Sequence, residues 1–169
     1  MTDRTPPPSR GAVVGLHVKP EIPGERGLPK RPVSTLRVGP SGADGDFNRW
    51  REEERAGDGD YALLLYPVEM LDALNDEGWP IRPGDLGENI LTRGLPYAEL
   101  APPGQFEVGE AVVEASKVCE PCDNLFLLPY VGKGRGPEFL KTMLDRRGWY
   151  ARVLRPGTVR LGDSVRRLR

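Results

Sequence analysis

Glycine and proline punctuate this chain from end to end, and that pattern limits what it can fold into. Its 169 residues include 21 Gly and 18 Pro, about twice the average share. They are dispersed rather than gathered in one tract. Dispersed Gly and Pro mean many turns, and many turns leave room for short strands rather than long helices. Regularly spaced apolar runs between the turns argue for a packed domain and against disorder. The length suits one domain with a core of its own. Residues 1–10, with Pro6, Pro7 and Pro8, read as a disordered lead-in, and residues 11–169 as the domain.

Composition excludes some function classes. Charged residues make up 29% and the formal net charge is −1, which speaks against a general nucleic-acid binder. The best apolar run, Ala62 to Tyr66, is far too short to span a membrane, and the first ten residues carry no signal-peptide pattern. With two cysteines and no leader of that kind, reduced thiols and a cytoplasmic location are expected.

The runs themselves predict strands at Gly11–Val18, Val33–Val38 and Ala62–Tyr66. Further strands are expected at Gln105–Val108, Ala111–Ser116, Trp149–Leu154 and Ser164–Leu168. Lys19–Pro32, with four prolines and two glycines, reads as a loop, Gly42–Gly59 as an exposed polar excursion, and Trp79–Gly94 as turn-rich. A helix should follow Pro67, with Val68, Leu71 and Leu74 inward and Gly78 as its stop. A second helix is expected over Pro137–Arg147, with Phe139, Leu140, Met143 and Leu144 inward. Strands and helices do not alternate as a doubly wound sheet requires. The predicted class is therefore mainly β, a closed or partly open barrel of seven or eight short strands with two or three peripheral helices.

Several residues could carry chemistry. Cys119 and Cys122 form Cys-Glu-Pro-Cys just after a strand. A zinc half-site, a thioredoxin-like pair, two structural thiols, and a nucleophile or metal ligand all remain open for them. Asp85, Glu88 and Asn89 lie in Pro83-Gly-Asp-Leu-Gly-Glu-Asn89. There glycines would let the backbone approach a ligand and the polar groups could accept N–H donors; a self-capped turn is the alternative. Lys30, and Lys133 with Arg135 in Val-Gly-Lys-Gly-Arg-Gly, are loop cations suited to phosphate, although solvated loop charges would look the same. His17, inside the first strand, reads as a packed residue.

Taken in order, several segments form a pattern. They are Gly27-Leu-Pro-Lys30, Gly45-Asp46, Ala62-Leu-Leu-Leu-Tyr-Pro67, Arg82-Pro-Gly-Asp-Leu-Gly-Glu-Asn89, Pro121-Cys122-Asp-Asn-Leu125, Gly148-Trp-Tyr-Ala-Arg-Val153 and Gly162-Asp163. This pattern, over about residues 11–168, resembles the MOSC domain family, named after the C-terminal domain of molybdenum-cofactor sulfurases. The resemblance implies a β-barrel in which Cys122 ligates molybdenum or carries sulfur. Lys30, then Lys133 and Arg135, would meet the cofactor phosphate, and Asp85, Glu88 and Asn89 would hold the pterin. Relatives reduce N-hydroxylated compounds, and small bacterial members are linked to detoxifying hydroxylated purine analogues. The implied function is a molybdenum-cofactor-binding reductase acting on a small molecule. Its electrons would come from a separate flavin or iron–sulfur protein, since the chain has no motif for either group. A sulfur-carrier module loaded by a cysteine desulfurase, with Cys119 as resolving thiol, is the second reading, and a non-enzymatic ligand-binding barrel the third. The chain departs from the family pattern at three places. Cys119 stands where many members carry arginine. Ala56-Gly57-Asp58 replaces His-Gly-Gly, and Phe47 follows Gly-Asp where several members carry arginine.

Overall fold

The computed structural model describes residues 9–169; the expected lead-in lies, through residue 8, outside the described residues. In chain order the strands begin with β1 (Arg10–Val18), β2 (Arg31–Pro32), β3 (Thr35–Gly39) and β4 (Gly42–Ala43). Helix α1 (Arg49–Glu54), β5 (Leu63–Pro67), α2 (Val68–Asp76) and β6 (Ile90–Arg93) come next, then β7 (Gln105–Val108) and β8 (Ala111–Val118). The chain ends with α3 (Gly132–Thr142), β9 (Trp149–Arg155), β10 (Gly157–Arg160) and β11 (Ser164–Arg167).

Seven strands close a barrel. Their order is β11-β7-β8-β9-β5-β6-β1, and β1 returns to pair with β11, Gly11 opposite Val165. Short β2 extends the sheet beside β1 at His17 and Val18. β5 and β6 run parallel, with Leu65 opposite Ile90, joined by the crossover through α2. A separate sheet, β10-β3-β4, lies alongside. Closure leaves no unpaired barrel edge, which matters when most strands have only four or five residues.

The apolar runs explain the packing. On β8, Ala111, Val113 and Ala115 are buried in alternation and point into the barrel core with Phe106, Val108, Val13 and Leu16. β5 is buried along its whole length because both of its faces are covered. Leu63 and Leu65 enter the barrel core, while Tyr66 joins a second cluster with Leu71, Leu74, Trp79, Phe139 and Met143 beneath α2 and α3. Each large apolar side chain so buried stabilises the fold by about 1.5–3 kcal/mol.

Four expectations need correction. Residues 42–59 are not simply an exposed excursion: Gly42 and Ala43 form buried β4, and 49–54 form α1. Asn48 caps that helix, its Oδ1 accepting from Arg51 N–H at 3.0 Å, while the buried Arg51 guanidinium donates to Ala62 O at 3.0 Å. β6 forms within the stretch expected to be turn-rich and β10 where no strand was expected, their apolar runs being too short to stand out. The second helix starts five residues early and stops at Thr142. Asp145 adopts φ 58°, so the chain leaves the helical region before Arg147. Gly136 lets the helix press on Phe126, whose ring would lie 2.3 Å from a Cβ at that position. Of its expected inward residues, Phe139 and Met143 are buried and Leu140 is half-buried, whereas Leu144 is exposed.

Candidate functional site

One end of the barrel opens into a cavity of about 520 Å³, a size suited to a cofactor or small substrate. Lys30, Asn89, Cys119, Cys122, Arg147 and Tyr150 are among its walls. They come from the loop before β2, the turn before β6, the loop after β8, and the start of β9.

The polar floor is organised by Asp46. Its Oδ2 accepts from Lys30 Nζ at 2.8 Å and from Asn89 Nδ2 at 3.0 Å, and its Oδ1 accepts from Lys19 N–H at 2.8 Å. Burial pushes the Asp46 carboxyl up, but the Lys30 ammonium and the donated hydrogen bonds hold it below the ordinary carboxylate range. Burial pulls the Lys30 ammonium down, and Asp46 opposes that pull. Lys30 N–H also donates to Gly84 O at 2.9 Å, which fixes the lysine loop against the 83–89 turn.

That turn serves the scaffold more than the cavity. Asp85 accepts from Arg82 N–H at 2.9 Å and from Tyr130 OH at 3.0 Å. Glu88 is fully buried, and its Oε1 accepts from Gly84 N–H at 2.5 Å. Burial raises the Glu88 carboxyl to about 7. Beside it, His17 Nδ1 lies 3.8 Å from Oε1, and burial lowers that imidazole to about 4. His17 is thus the packed residue expected from its place in β1. Asn89 reaches the cavity wall, but its Oδ1 accepts from Leu64 N–H at 3.0 Å and its Nδ2 also donates to His17 O at 3.2 Å. Gly87, with φ 80°, lies in the cavity wall with the Leu28 side chain against it, Cδ2 2.9 Å from where a Cβ would stand.

The two thiols are free, Cys119 buried and Cys122 exposed, and both face the cavity. Cys122 precedes a 3-10 turn, Asp123–Leu127. The pair therefore does not open a helix of a βαβ unit as thioredoxin-like chemistry expects. Among the described residues no three His, Cys, Asp or Glu side chains cluster as metal ligands do, so a zinc site on this pair lacks its further ligands.

Lys133 and Arg135 stand elsewhere. Their glycine-rich segment is the first half of α3, not a loop, and both are exposed and outside the cavity wall. Arg135 lies 4.0 Å from the centre of the Trp79 ring and pairs with Glu138 at 3.4 Å.

Sequence reading missed two features of the wall. An aromatic trio faces the cavity from α1, the segment before β5, and β9: Trp50 and Tyr61 meet edge-to-face at 5.3 Å, and Tyr61 and Tyr150 at 4.9 Å. The other is Arg147, buried at 5% exposure in the turn before β9. Gly148 pins that turn, its N–H donating to Tyr97 OH at 3.0 Å and its O accepting from Cys119 N–H at 2.9 Å. Burial opposes the charge on Arg147, while neighbouring Cys119, Tyr150 and Cys122 and the buried Glu88 carboxyl support it. In sequence, Arg146-Arg147 looks like any charged turn. The one signal is the cysteine at 119 where the family pattern carries arginine.

Against known proteins, the MOSC domain model matches residues 48–166. Among solved structures the chain is similar to YiiM from Geobacillus stearothermophilus, with 25% identity and TM-score 0.72 over 94% of this chain and 75% of that one. YuaD from Bacillus subtilis is 19% identical, with TM-score 0.75 over 94% and 95% of the two chains. YiiM from Escherichia coli is 22% identical, with TM-score 0.67 over 96% and 71%. No curated protein matches. Among the described residues, no helix is long and apolar enough to cross a membrane.

Proposed function

Because this chain belongs to the MOSC domain family, we propose that its cavity holds molybdenum cofactor, with Cys122 as the protein's sulfur ligand, and serves to reduce small N-hydroxylated compounds. The observation that carries this reading is an exposed, unpaired Cys122 thiol on the wall of a cavity of about 520 Å³. The residues present fit the group. A thiolate is the soft ligand that molybdenum takes. Gly87 carries no side chain, and the room this leaves in the cavity wall is taken up in part by the flexible Leu28 side chain, whose Cδ2 stands 2.9 Å from the Cβ position.

When bound, the cofactor supplies two-electron redox chemistry at the metal. The overall change is R–NHOH + 2 e⁻ + 2 H⁺ → R–NH₂ + H₂O: the N–O bond breaks, and the electrons come from a separate flavin or iron–sulfur donor protein. The chain's own residues bind and orient. Lys30, held by Asp46, presents positive charge at the cavity floor. Asp85, Glu88 and Asn89 fix the turn that carries Gly87 through the hydrogen bonds described above, so their part is positioning. Trp50, Tyr61 and Tyr150 offer ring faces against which a flat substrate packs.

The test is metal analysis of protein purified from a host that makes the cofactor. Wild type should carry molybdenum, Cys122→Ser should lose it, and Cys119→Ser should keep it. Metal-free wild type, with Cys122→Ser indistinguishable from it, would sink the reading. One observation favours a second reading: both thiols share the same cavity wall. As a sulfur carrier, the Cys122 thiolate would attack the outer sulfur of a desulfurase persulfide, gain an S–S bond and release the desulfurase thiolate. An adduct of about 32 Da on Cys122 in metal-free protein would favour it.

A further inference from the structure

Phe47, Trp50, Tyr61 and Tyr150 line the cavity, and none of the four belongs to either apolar cluster that holds the fold together. Trp50 is the clearest case. It is 37% exposed on the six-residue helix α1, facing the cavity from one side. The other two tryptophans serve the scaffold: Trp79 is buried in the second cluster and Trp149 packs against the first. Of the three, only Trp50 is part of the cavity wall. An aromatic ring left open to a cavity keeps apolar surface in water, a cost that a ligand covering the ring removes.

The rings are held in place. Arg51 anchors α1, its guanidinium donating to Ala62 O at 3.0 Å and to Asp46 O at 3.3 Å. Gly42 leaves the room this needs, since a Cβ there would stand 2.9 Å from Arg51 Nη1. Arg55 ties two rings together, its guanidinium carbon 5.3 Å from the centre of Trp50 and 5.6 Å from that of Tyr61. Tyr61 stands edge-on to both of its neighbours, at 76° to Trp50 and 68° to Tyr150. Trp50 and Tyr150, in contrast, lie within 19° of parallel, with centres 6.4 Å apart. A flat ligand aligned with one is therefore aligned with the other, and such ring contacts add to what buried area alone supplies. Tyr150 also sets where the ligand lies, because Cys119 and Cys122 are both near enough to act on its hydroxyl. The parallel rings thus adjoin the thiol side of the cavity.

We infer that Trp50 and Tyr150 determine specificity: they select N-hydroxylated compounds whose reacting group is carried on a flat conjugated ring over open-chain or puckered ones. Tyr61 and Arg55 position the two rings, and Arg51 seats the helix that carries Trp50. The reaction rests on the reading proposed above, but the ring selectivity does not require the metal.

Titration of metal-free protein with three amidoximes tests it: benzamidoxime, cyclohexanecarboxamidoxime and acetamidoxime. They share the N-hydroxylated group, and the first two differ in whether a six-membered ring is flat or puckered. Benzamidoxime should quench tryptophan emission and bind about tenfold more tightly than the cyclohexane compound. Trp50→Ala should remove most of that preference and leave acetamidoxime binding unchanged. Trp50→Phe, which keeps a ring and the fold, should retain most of the benzamidoxime affinity while losing the quench. Glu53→Ala, on the same helix but outside the wall, should match wild type. In molybdenum-loaded protein the quench should persist, and Trp50→Ala should raise KM for benzamidoxime with little change in kcat. Flat and puckered rings bound alike, benzamidoxime affinity unchanged in Trp50→Ala, or a quench that survives Trp50→Phe would each overturn the proposal. So would loss of the quench on loading, which would give the wall to the cofactor's own ring system. Because binding is read without metal, failure to load molybdenum would sink the proposed reaction and leave the ring selectivity standing.

Discussion

Asp46 is the residue on which the polar floor of the cavity depends. Its carboxylate accepts from Lys30, Asn89 and the Lys19 backbone, and its side chain has no exposed surface. Removing one partner of a buried pair leaves the other charged and unsatisfied. Asp46→Asn should therefore destabilise the protein by about 3–5 kcal/mol in urea unfolding. The double variant Lys30→Met, Asp46→Leu should lose less than Asp46→Asn alone, because no orphan charge remains. A double variant at least as unstable as the single one would show that the pair matters through its hydrogen-bond geometry rather than its charge balance. Lys30 and Cys122 were legible in the sequence because each sits in a motif with a definite order. Arg147 was not: a guanidinium in a turn is ordinarily solvated, and it is tertiary packing that buries this one.

At the scale of elements, long apolar runs were read correctly and polar ones were not. β1, β5, β7, β8 and β9 carry contiguous or alternating apolar residues, and they formed within a few residues of expectation. Helix α1, with the sequence RWREEE, turns a single arginine inward, and nothing in its periodicity reveals a buried cation. Helix α3 begins with three glycines that a sequence reading takes for a flexible loop. Those glycines are not equivalent. Gly136 packs under the Phe126 ring, with ring carbons 2.3–2.7 Å from the Cβ position, whereas Gly134 has nothing within 4 Å. Gly136→Ala should cost about 1–3 kcal/mol through overpacking, and Phe126→Leu in the same chain should recover part of it. Gly134→Ala should instead stabilise the exposed helix by about 0.5–1 kcal/mol. Thermal unfolding of both variants decides this, and equal effects of the two would contradict the packing.

For the whole molecule, a barrel could be argued from turn density and the ordered motifs, but its closure could not. The seam joins Gly11 to Val165 at opposite ends of the chain, and pairing over such a separation leaves no local trace. The same tertiary burial sets how stability responds to pH. Glu88 titrates near 7 in the folded protein instead of 4.5, so the folded state holds its proton longer than the unfolded chain. The stability this contributes is complete below pH 4.5 and is lost as pH rises toward 7. His17 titrates near 4 instead of 6.5, so the unfolded chain takes the proton first. Its contribution is complete above pH 6.5 and is lost as pH falls toward 4. Between pH 4.5 and 6.5 the two slopes, each about 1.4 kcal/mol per pH unit, oppose one another and nearly cancel. Removing either group should uncover the other. Relative to wild type, Glu88→Gln should lose about 3 kcal/mol on acidification from pH 6.5 to 4.5, and His17→Gln should gain about as much over the same interval. Urea midpoints at pH 4.5, 5.5 and 6.5 measure both. Curves for the two variants that run parallel to wild type would mean that Glu88 and His17 keep ordinary protonation inside the fold.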